Sequence, residues 1–303
     1  MYNISFIGAG NVTFRLSLAL QQAGHNIQAI VNRSAEHAES VVRALKRHRS
    51  HAFATDDYNA IPQDCNLVII SVSDTYIKEA AKRVNESLSA RNLNIPVVHT
   101  CGAVPLETLT NEIPGGQCGV FYPLMTLSRN KETDMKLIPF LIEANSTGLQ
   151  QMLCTLVEHL KAEYKICDSA KRLQMHVAAV FISNFTNYMM GLAYQISKPD
   201  FVYLLPCAIE TVRKAFLNKP SVSQTGPAKR GDMATINRHI DVLSQMNLQE
   251  EKEVYEYLSR MIMQSSALGD KKALDDKKAL DDKKALGDKK ALDDKKALDD
   301  KKE

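Results

Sequence analysis

None of the six cysteines of this 303-residue chain belongs to a Cys-x-x-Cys pair. Cys65, Cys101, Cys118, Cys154, Cys167 and Cys207 are scattered, which argues against a zinc site or a disulfide framework and for reduced thiols in a cytoplasm. No apolar run approaches the roughly 18 residues of a membrane helix, so no membrane partner is expected. The formal net charge is +3, too near neutral to call for nucleic acid or an anionic surface. Tryptophan is absent, and with it an obvious ring-stacking platform for a flavin or deazaflavin. A Walker loop, an HExxH helix, a Ser-His-Asp order and a paired-carboxylate site are missing too, and no metal is expected. The first residues enter a strand pattern at once, which leaves no room for a signal peptide. What remains is 45% hydrophobic and 24% charged, an ordinary globular composition long enough for two domains.

The chain is organised around its start. Asn3 to Ile7 is short, apolar and β-prone, and Gly8-Ala9-Gly10-Asn11-Val12-Thr13 follows directly. Leu16, Leu18, Ala19, Leu20 and Ala23 then set a helical pattern that Gly24 closes. Asn26 to Val31 reads as a second strand, ending in Asn32-Arg33-Ser34. Strand, glycine turn, helix and strand within about thirty residues is the context a dinucleotide fingerprint needs. Gly8 allows the tight turn, and Gly10 lets a pyrophosphate approach the helix N-terminus, where Asn11 and Val12 offer backbone N–H groups. Thr13 replaces the usual third glycine, a small residue that still permits fairly close packing. The second strand tip carries no Asp or Glu for a ribose 2′-hydroxyl. Arg33 can instead stack on adenine or pair with a 2′-phosphate, and Asn32 and Ser34 can donate to it. The expected cofactor is therefore NADP. Ser34 is also suited to cap the next helix.

Farther along, Ala35 to Arg47 is helical, and Leu67 to Val72 is a continuous apolar run, as a buried parallel strand should be. Asp74 or Thr75 is placed to cap a helix running to about Ala90. Ile95 to His99 is another strand; Ser73, His99 and Thr100 follow strand ends and are expected at the nicotinamide end. Gly119 to Tyr122 and Pro139 to Glu143 add strands around a loop, Ser146 to Lys161 a helix, and Tyr164 to Cys167 a last strand. The alternation predicts a doubly wound, mostly parallel α/β sheet over 1–167, a Rossmann domain. From Asp168 only helical patterns occur: Ser169 to Ser197, Phe201 to Leu217, Asp232 to Met246 and Leu248 to Gln264. These predict an all-α domain over 168–266. In the tail, 267–303, Ala-Leu-(Gly/Asp)-Asp-Lys-Lys repeats every six residues. Its leucines form no stripe at helical spacing, so it is read as solvated low-complexity chain without chemistry.

The long helix from Ser169 is mostly apolar, yet Arg172, His176, Ser183 and Asn187 fall within about 40° of one line, with Asn184 roughly 80° aside. Buried polar groups need partners, so the stripe reads either as the wall of a cleft or as bonding to neighbouring helices. In the first case His176 is the proton donor to a carbonyl or imine, and Asn184 and Asn187 hold substrate. Between two later helices, Gln224 to Asp232 is dense in donors. There Arg230 can clamp a carboxylate, or pair with Asp232 to stabilise the turn.

The order of Ile7 to Val12, Asn32-Arg33-Ser34, Val72-Ser73-Asp74, His99-Thr100-Cys101-Gly102, Phe121-Tyr122-Pro123-Leu124, Asn184-Phe185-Thr186-Asn187 and Gln224 to Asp232 resembles one family. It is the family of Rossmann-like NADP oxidoreductases with a C-terminal helical domain of unknown function. That family is similar to pyrroline-5-carboxylate reductase, deazaflavin-dependent NADP reductases and the β-hydroxyacid dehydrogenases, with their 6-phosphogluconate-dehydrogenase-like C-terminal domains. The resemblance implies NADP, a helical domain that often forms a homodimer, and a small-molecule substrate bound between the domains. Two departures stand out. Arg172, His176 and Asn187 occupy the face where β-hydroxyacid dehydrogenases carry a lysine and an asparagine, and Cys101 stands where serine is common. The expected function is hydride transfer with a small carbonyl or imine compound; the alternative is an inactive NADP-binding sensor or scaffold.

Overall fold

The computed structural model describes residues 1–48 and 50–267. Eight strands form one sheet: β1 (Asn3–Ile7), β2 (Asn26–Val31), β3 (Phe53–Thr55), β4 (Leu67–Ile70), β5 (Val97–His99), β6 (Cys118–Pro123), β7 (Phe140–Ala144) and β8 (Tyr164–Ile166). Their spatial order is β3-β2-β1-β4-β5-β6-β7-β8. Neighbours run parallel except at β6 and β7. Chain order reverses between β1 and β4, the crevice where such sheets take ligands beyond the strand carboxyl ends.

Two helical layers cover the sheet, and the two-residue alternation of each strand sorts its side chains between them. Ile4, Phe6, Leu67 and Ile69 join the core under α1 (Asn11–Gln22), α2 (Ala35–Lys46) and α5 (Thr147–His159). Ile7, Val68, Ile70 and Val97 join the core under α3 (Ile77–Ala90) and α4 (Glu107–Glu112). Strands buried on both faces must be apolar throughout, and the Leu-Val-Ile-Ile of β4 is. The expected doubly wound sheet is present. Three residues of β3 and six of α4 carry too little periodicity to be read from sequence. Ser34 caps α2, as expected, by accepting from His37 N. Asp74 and Thr75 do not cap α3; it starts from a 3-10 turn, Asp74–Tyr76, with no side-chain cap.

Two histidines inside this part are held neutral. His25 Nδ1 accepts the Tyr2 backbone N–H at 3.2 Å, and its Nε2 meets His159 Nδ1 at 3.0 Å. His99 Nδ1 accepts the Cys101 N–H at 3.1 Å. Burial, with the neighbouring His159 and the N-terminus, lowers the His25 pKa to about 4. Burial and the Arg172 charge lower that of His99 to about 3. Both folded values lie below the unfolded one, so the unfolded chain binds more protons as pH falls below about 6.5, and stability is lost in that direction. At pH 5 each histidine costs on the order of 2 kcal/mol relative to pH 8. Urea midpoints should fall accordingly between pH 7 and 5, and His25→Gln should remove roughly half of the two-histidine effect. An unchanged slope in that variant would show that His25 does not carry it.

After β8 every described element is helical: α6 (Ser169–Val180), a π-helical turn (Phe181–Phe185), α7 (Thr186–Ser197), a 3-10 turn (Asp200–Leu204), α8 (Leu205–Asn218), the short α9 (Pro220–Ser223) and α10 (Pro227–Arg230), α11 (Met233–Gln245) and α12 over 249–267. Asp168 caps α6 by accepting from Lys171 N, and Asp232 caps α11 by accepting from Thr235 N. The chain divides into two compact units, one from Met1 to Thr186 and one from Asn187 onward. The division falls later than the change of pattern at residue 168 because α6 is bonded to the sheet. Arg172, only 1% exposed, donates to Glu143 of β7 and, at 2.6 Å, to the Val104 carbonyl. Ser169 joins the same network, giving its N–H and hydroxyl to Glu143 and accepting the Leu106 N–H. The hexapeptide tail from 268 onward lies outside the described residues.

Candidate active site

A cleft of about 430 Å³ opens at the carboxyl ends of β1, β2 and β4. Gly8, Gly10, Asn32, Arg33 and Ser73 line it, together with Tyr58, Tyr76, Arg83 and Arg129, which sequence reading did not single out. Gly8 sits at φ +105, and a Cβ there would stand 2.4 Å from the Ser71 carbonyl oxygen. The position therefore needs glycine twice over, for conformation and for space. A Cβ on Gly10 would meet no atom within 4 Å, so the room beside the turn is open to a ligand. Asn11 and Val12 begin α1, where backbone N–H groups have no helical partner. Thr13, fully buried, gives its hydroxyl to the Gly8 carbonyl at 3.0 Å and ties the helix to the turn.

At the β2 tip, the Asn32 amide donates to the Ser34 carbonyl at 2.9 Å and the Ser34 hydroxyl is engaged as the α2 cap. These two side chains shape the tip, and Arg33 is its exposed cation, its guanidinium 4.7 Å from the centre of the Tyr76 ring. Arg129 reaches the turn from the segment between β6 and β7, donating to the Ala9 carbonyl and to Ser40 Oγ. Arg15 holds the same segment through the Ser128 and Arg129 carbonyls at 2.8 and 2.7 Å. No spacing signal marks Arg129, which is 120 residues from Ala9.

A polar cluster lies past the ends of β4 and β5, beside the last residues of β6. The Tyr122 hydroxyl is 2.9 Å from His176 Nδ1, with the rings edge-on. Gly102 lets them meet: a Cβ there would be 2.5 Å from His176 Nδ1 and 2.8 Å from Tyr122 Cζ. The placement of His176 follows from the buried Arg172. One helical turn, about 6 Å, separates the two on α6. Glu143, which Arg172 pairs, faces Val120 in the β6–β7 register, and Tyr122 is two strand residues, about 6.6 Å, further on. The helix thus runs beside β6 and delivers His176 to Tyr122. Burial, then Cys101 and Asp74, push the Tyr122 phenol up to about 12. Burial and the neighbouring Asp74 carboxylate push the Cys101 thiol up to about 12 as well, so it is not a thiolate nucleophile near neutral pH. In the sequence Tyr122 stands out only as part of the Phe121 to Leu124 motif, because nothing local ties it to a histidine 54 residues away.

The remaining expected residues lie elsewhere. His99 is fully buried and bonded to the Cys101 N–H, so it supports the strand end instead of lining the cleft. Arg172 is likewise a buried structural group, and Ser183 turns back to the Ala179 carbonyl at 2.7 Å. The straight polar stripe does not survive the π turn, where residues advance by less than 100° each. Asn184 is exposed in that turn and accepts from Ser183 Oγ. Asn187 and Arg230 belong to the second unit and are exposed. Arg230 contributes, after Thr235, to lowering the pKa of Asp232.

A glycine turn at a parallel sheet's switch point, open at Gly10 and ringed by arginines, defines a dinucleotide-binding fold of the Rossmann class. Residues 3–98 match the family described as NADP oxidoreductase, coenzyme F420-dependent, and residues 138–262 match a domain of unknown function. A Bacteroides fragilis protein assigned as an NADP oxidoreductase is 33% identical, with a TM-score of 0.76 over 87% of this chain and 98% of its own. The chain belongs to this family of NADP oxidoreductases with a C-terminal helical domain. The fold is shared at lower identity by an imine reductase of Myxococcus stipitatus in complex with NADP+ (14%, TM-score 0.62, 88% and 95% covered). It is also shared by a Plasmodium falciparum pyrroline carboxylate reductase with NADP bound (9%, TM-score 0.52, 88% and 98% covered). Among curated proteins none matches the chain by sequence. Among the described residues no helix is long and apolar enough to cross a membrane, and no His, Cys, Asp and Glu cluster suits a metal ion.

Proposed function

We propose that the protein is an NADP(H)-dependent oxidoreductase acting on a small carbonyl or imine compound. The observation that carries this is the Tyr122–His176 pair, beside the carboxyl ends of β4 and β5 in a sheet whose switch-point cleft suits a dinucleotide. NADPH supplies the hydride when bound. Gly8, Gly10 and the N–H groups of Asn11 and Val12 would hold the pyrophosphate, and Arg33 would pair with the 2′-phosphate. NADP is favoured over NAD because the β2 tip offers Asn32-Arg33-Ser34 and no carboxylate. With His176 in its imidazolium form, Nδ1–H would donate to the Tyr122 oxygen and the Nε2 proton would pass to the substrate oxygen or nitrogen as hydride arrives, leaving a neutral imidazole. Asn184, Asn187 and Arg230 remain candidates for positioning substrate.

A homodimer is part of the same proposal. In the second unit Val202, Tyr203, Phe216 and Leu217 are each at least 67% exposed, an apolar surface that a second copy would cover. A cytoplasmic location is proposed from the six unpaired thiols. The test is a screen of keto and imino compounds with the full chain and NADPH deuterated at C4. Deuterium appearing in a product carbon supports the assignment. NADPH binding without transfer across the screen would favour the sensor alternative.

A further inference from the structure

We propose that Arg83, on α3, is a second arginine for the 2′-phosphate and sets the preference for NADP together with Arg33; this rests on the cofactor reading above. Arg83 lies on a different element from the β2 tip, yet it lines the same cleft. Its guanidinium stands 4.3 Å from the centre of the Tyr58 ring, as Arg33 stands 4.7 Å from that of Tyr76. The two tyrosines come from separate 3-10 turns, Tyr58–Ala60 after β3 and Asp74–Tyr76 after β4, so two aromatic plates hold two guanidiniums in one cleft. Burial raises the Tyr58 phenol, and the Arg83 and Arg33 charges both oppose that shift.

Neither guanidinium forms an ion pair among the described residues. Glu79, one turn before Arg83, is the cleft's single carboxylate, against Arg33, Arg83 and Arg129. Like charges held together with one acid between three cations are relieved by a bound anion. A phosphate monoester, carrying close to two negative charges at neutral pH, matches two guanidinium forks better than a ribose hydroxyl does. The adjoining glycine turn accounts for the pyrophosphate, so Arg33 at the β2 tip and Arg83 on α3 are left for the phosphate on the ribose. No local spacing marks Arg83, which is 50 residues from Arg33 and sits on an exposed helix face.

The test uses the full chain and two fragments that differ only in the phosphate at issue, 2′,5′-ADP and 5′-AMP, beside NADPH and NADH. Arg83→Gln should weaken 2′,5′-ADP and NADPH by about tenfold and leave 5′-AMP and NADH within about twofold. Arg83→Lys should fall between, because charge is kept and the fork is lost. An unchanged thermal midpoint is expected, since Arg83 is exposed. Equal weakening of all four ligands, or of none, overturns the role of Arg83 while wild-type preference for NADPH leaves the cofactor reading standing. Wild-type chain that does not distinguish 2′,5′-ADP from 5′-AMP overturns both.

Discussion

Replacing His176 by alanine should lower turnover by about two to four orders of magnitude, the usual worth of a positioned proton donor. NADPH affinity should stay within about twofold, because His176 is outside the glycine cleft. The residue is half-buried on α6, and its Nδ1 is held by Tyr122 at 2.9 Å. Tyr122→Phe keeps the ring and removes the hydroxyl, so it should give a smaller loss and a displaced pH–rate profile. Steady-state kinetics against pH, with NADPH titrations on each variant, separate a proton donor from a packing residue. Unchanged turnover in His176→Ala would remove it from the chemistry.

The second large effect concerns stability. Arg172→Met should destabilise the fold by about 3–5 kcal/mol, because it leaves Glu143 partly buried without its cation. The Ser169 hydroxyl and the Val104 carbonyl lose a donor in the same step. The double variant Arg172→Met, Glu143→Leu should recover much of that loss, since the uncompensated charge goes too. Urea unfolding of both variants decides it: a single-variant loss below about 1 kcal/mol would mean that the pair is not what seats α6. Turnover should fall in Arg172→Met as well, through displacement of His176.

Sheet and glycine turn were legible because their signals are local. The apolar run of β4, the two glycines of the turn and the Ser34 cap each follow from neighbours a few residues apart. The sequence also pointed to His176, since a titratable group on a mostly apolar helix calls for a partner. What it could not show was the partner. Tyr122, Arg83 and Arg129 reach their places through pairings of distant strands and helices, and no short spacing encodes those. His99 was misplaced for a related reason: following a strand's end to the ligand side is sound for the residue beyond it, but β5 still includes His99, and both neighbouring strands enclose it. The π turn broke the expected stripe because insertion of a wider turn is invisible to a fixed 100° count.

The most direct test of the central assignment is a calorimetric titration of the full chain with NADPH. One site per chain, with affinity lost in Gly8→Ala, where a side chain would strike the Ser71 carbonyl, is the expected result. No binding by the wild-type chain would make the glycine turn purely structural and contradict the oxidoreductase assignment.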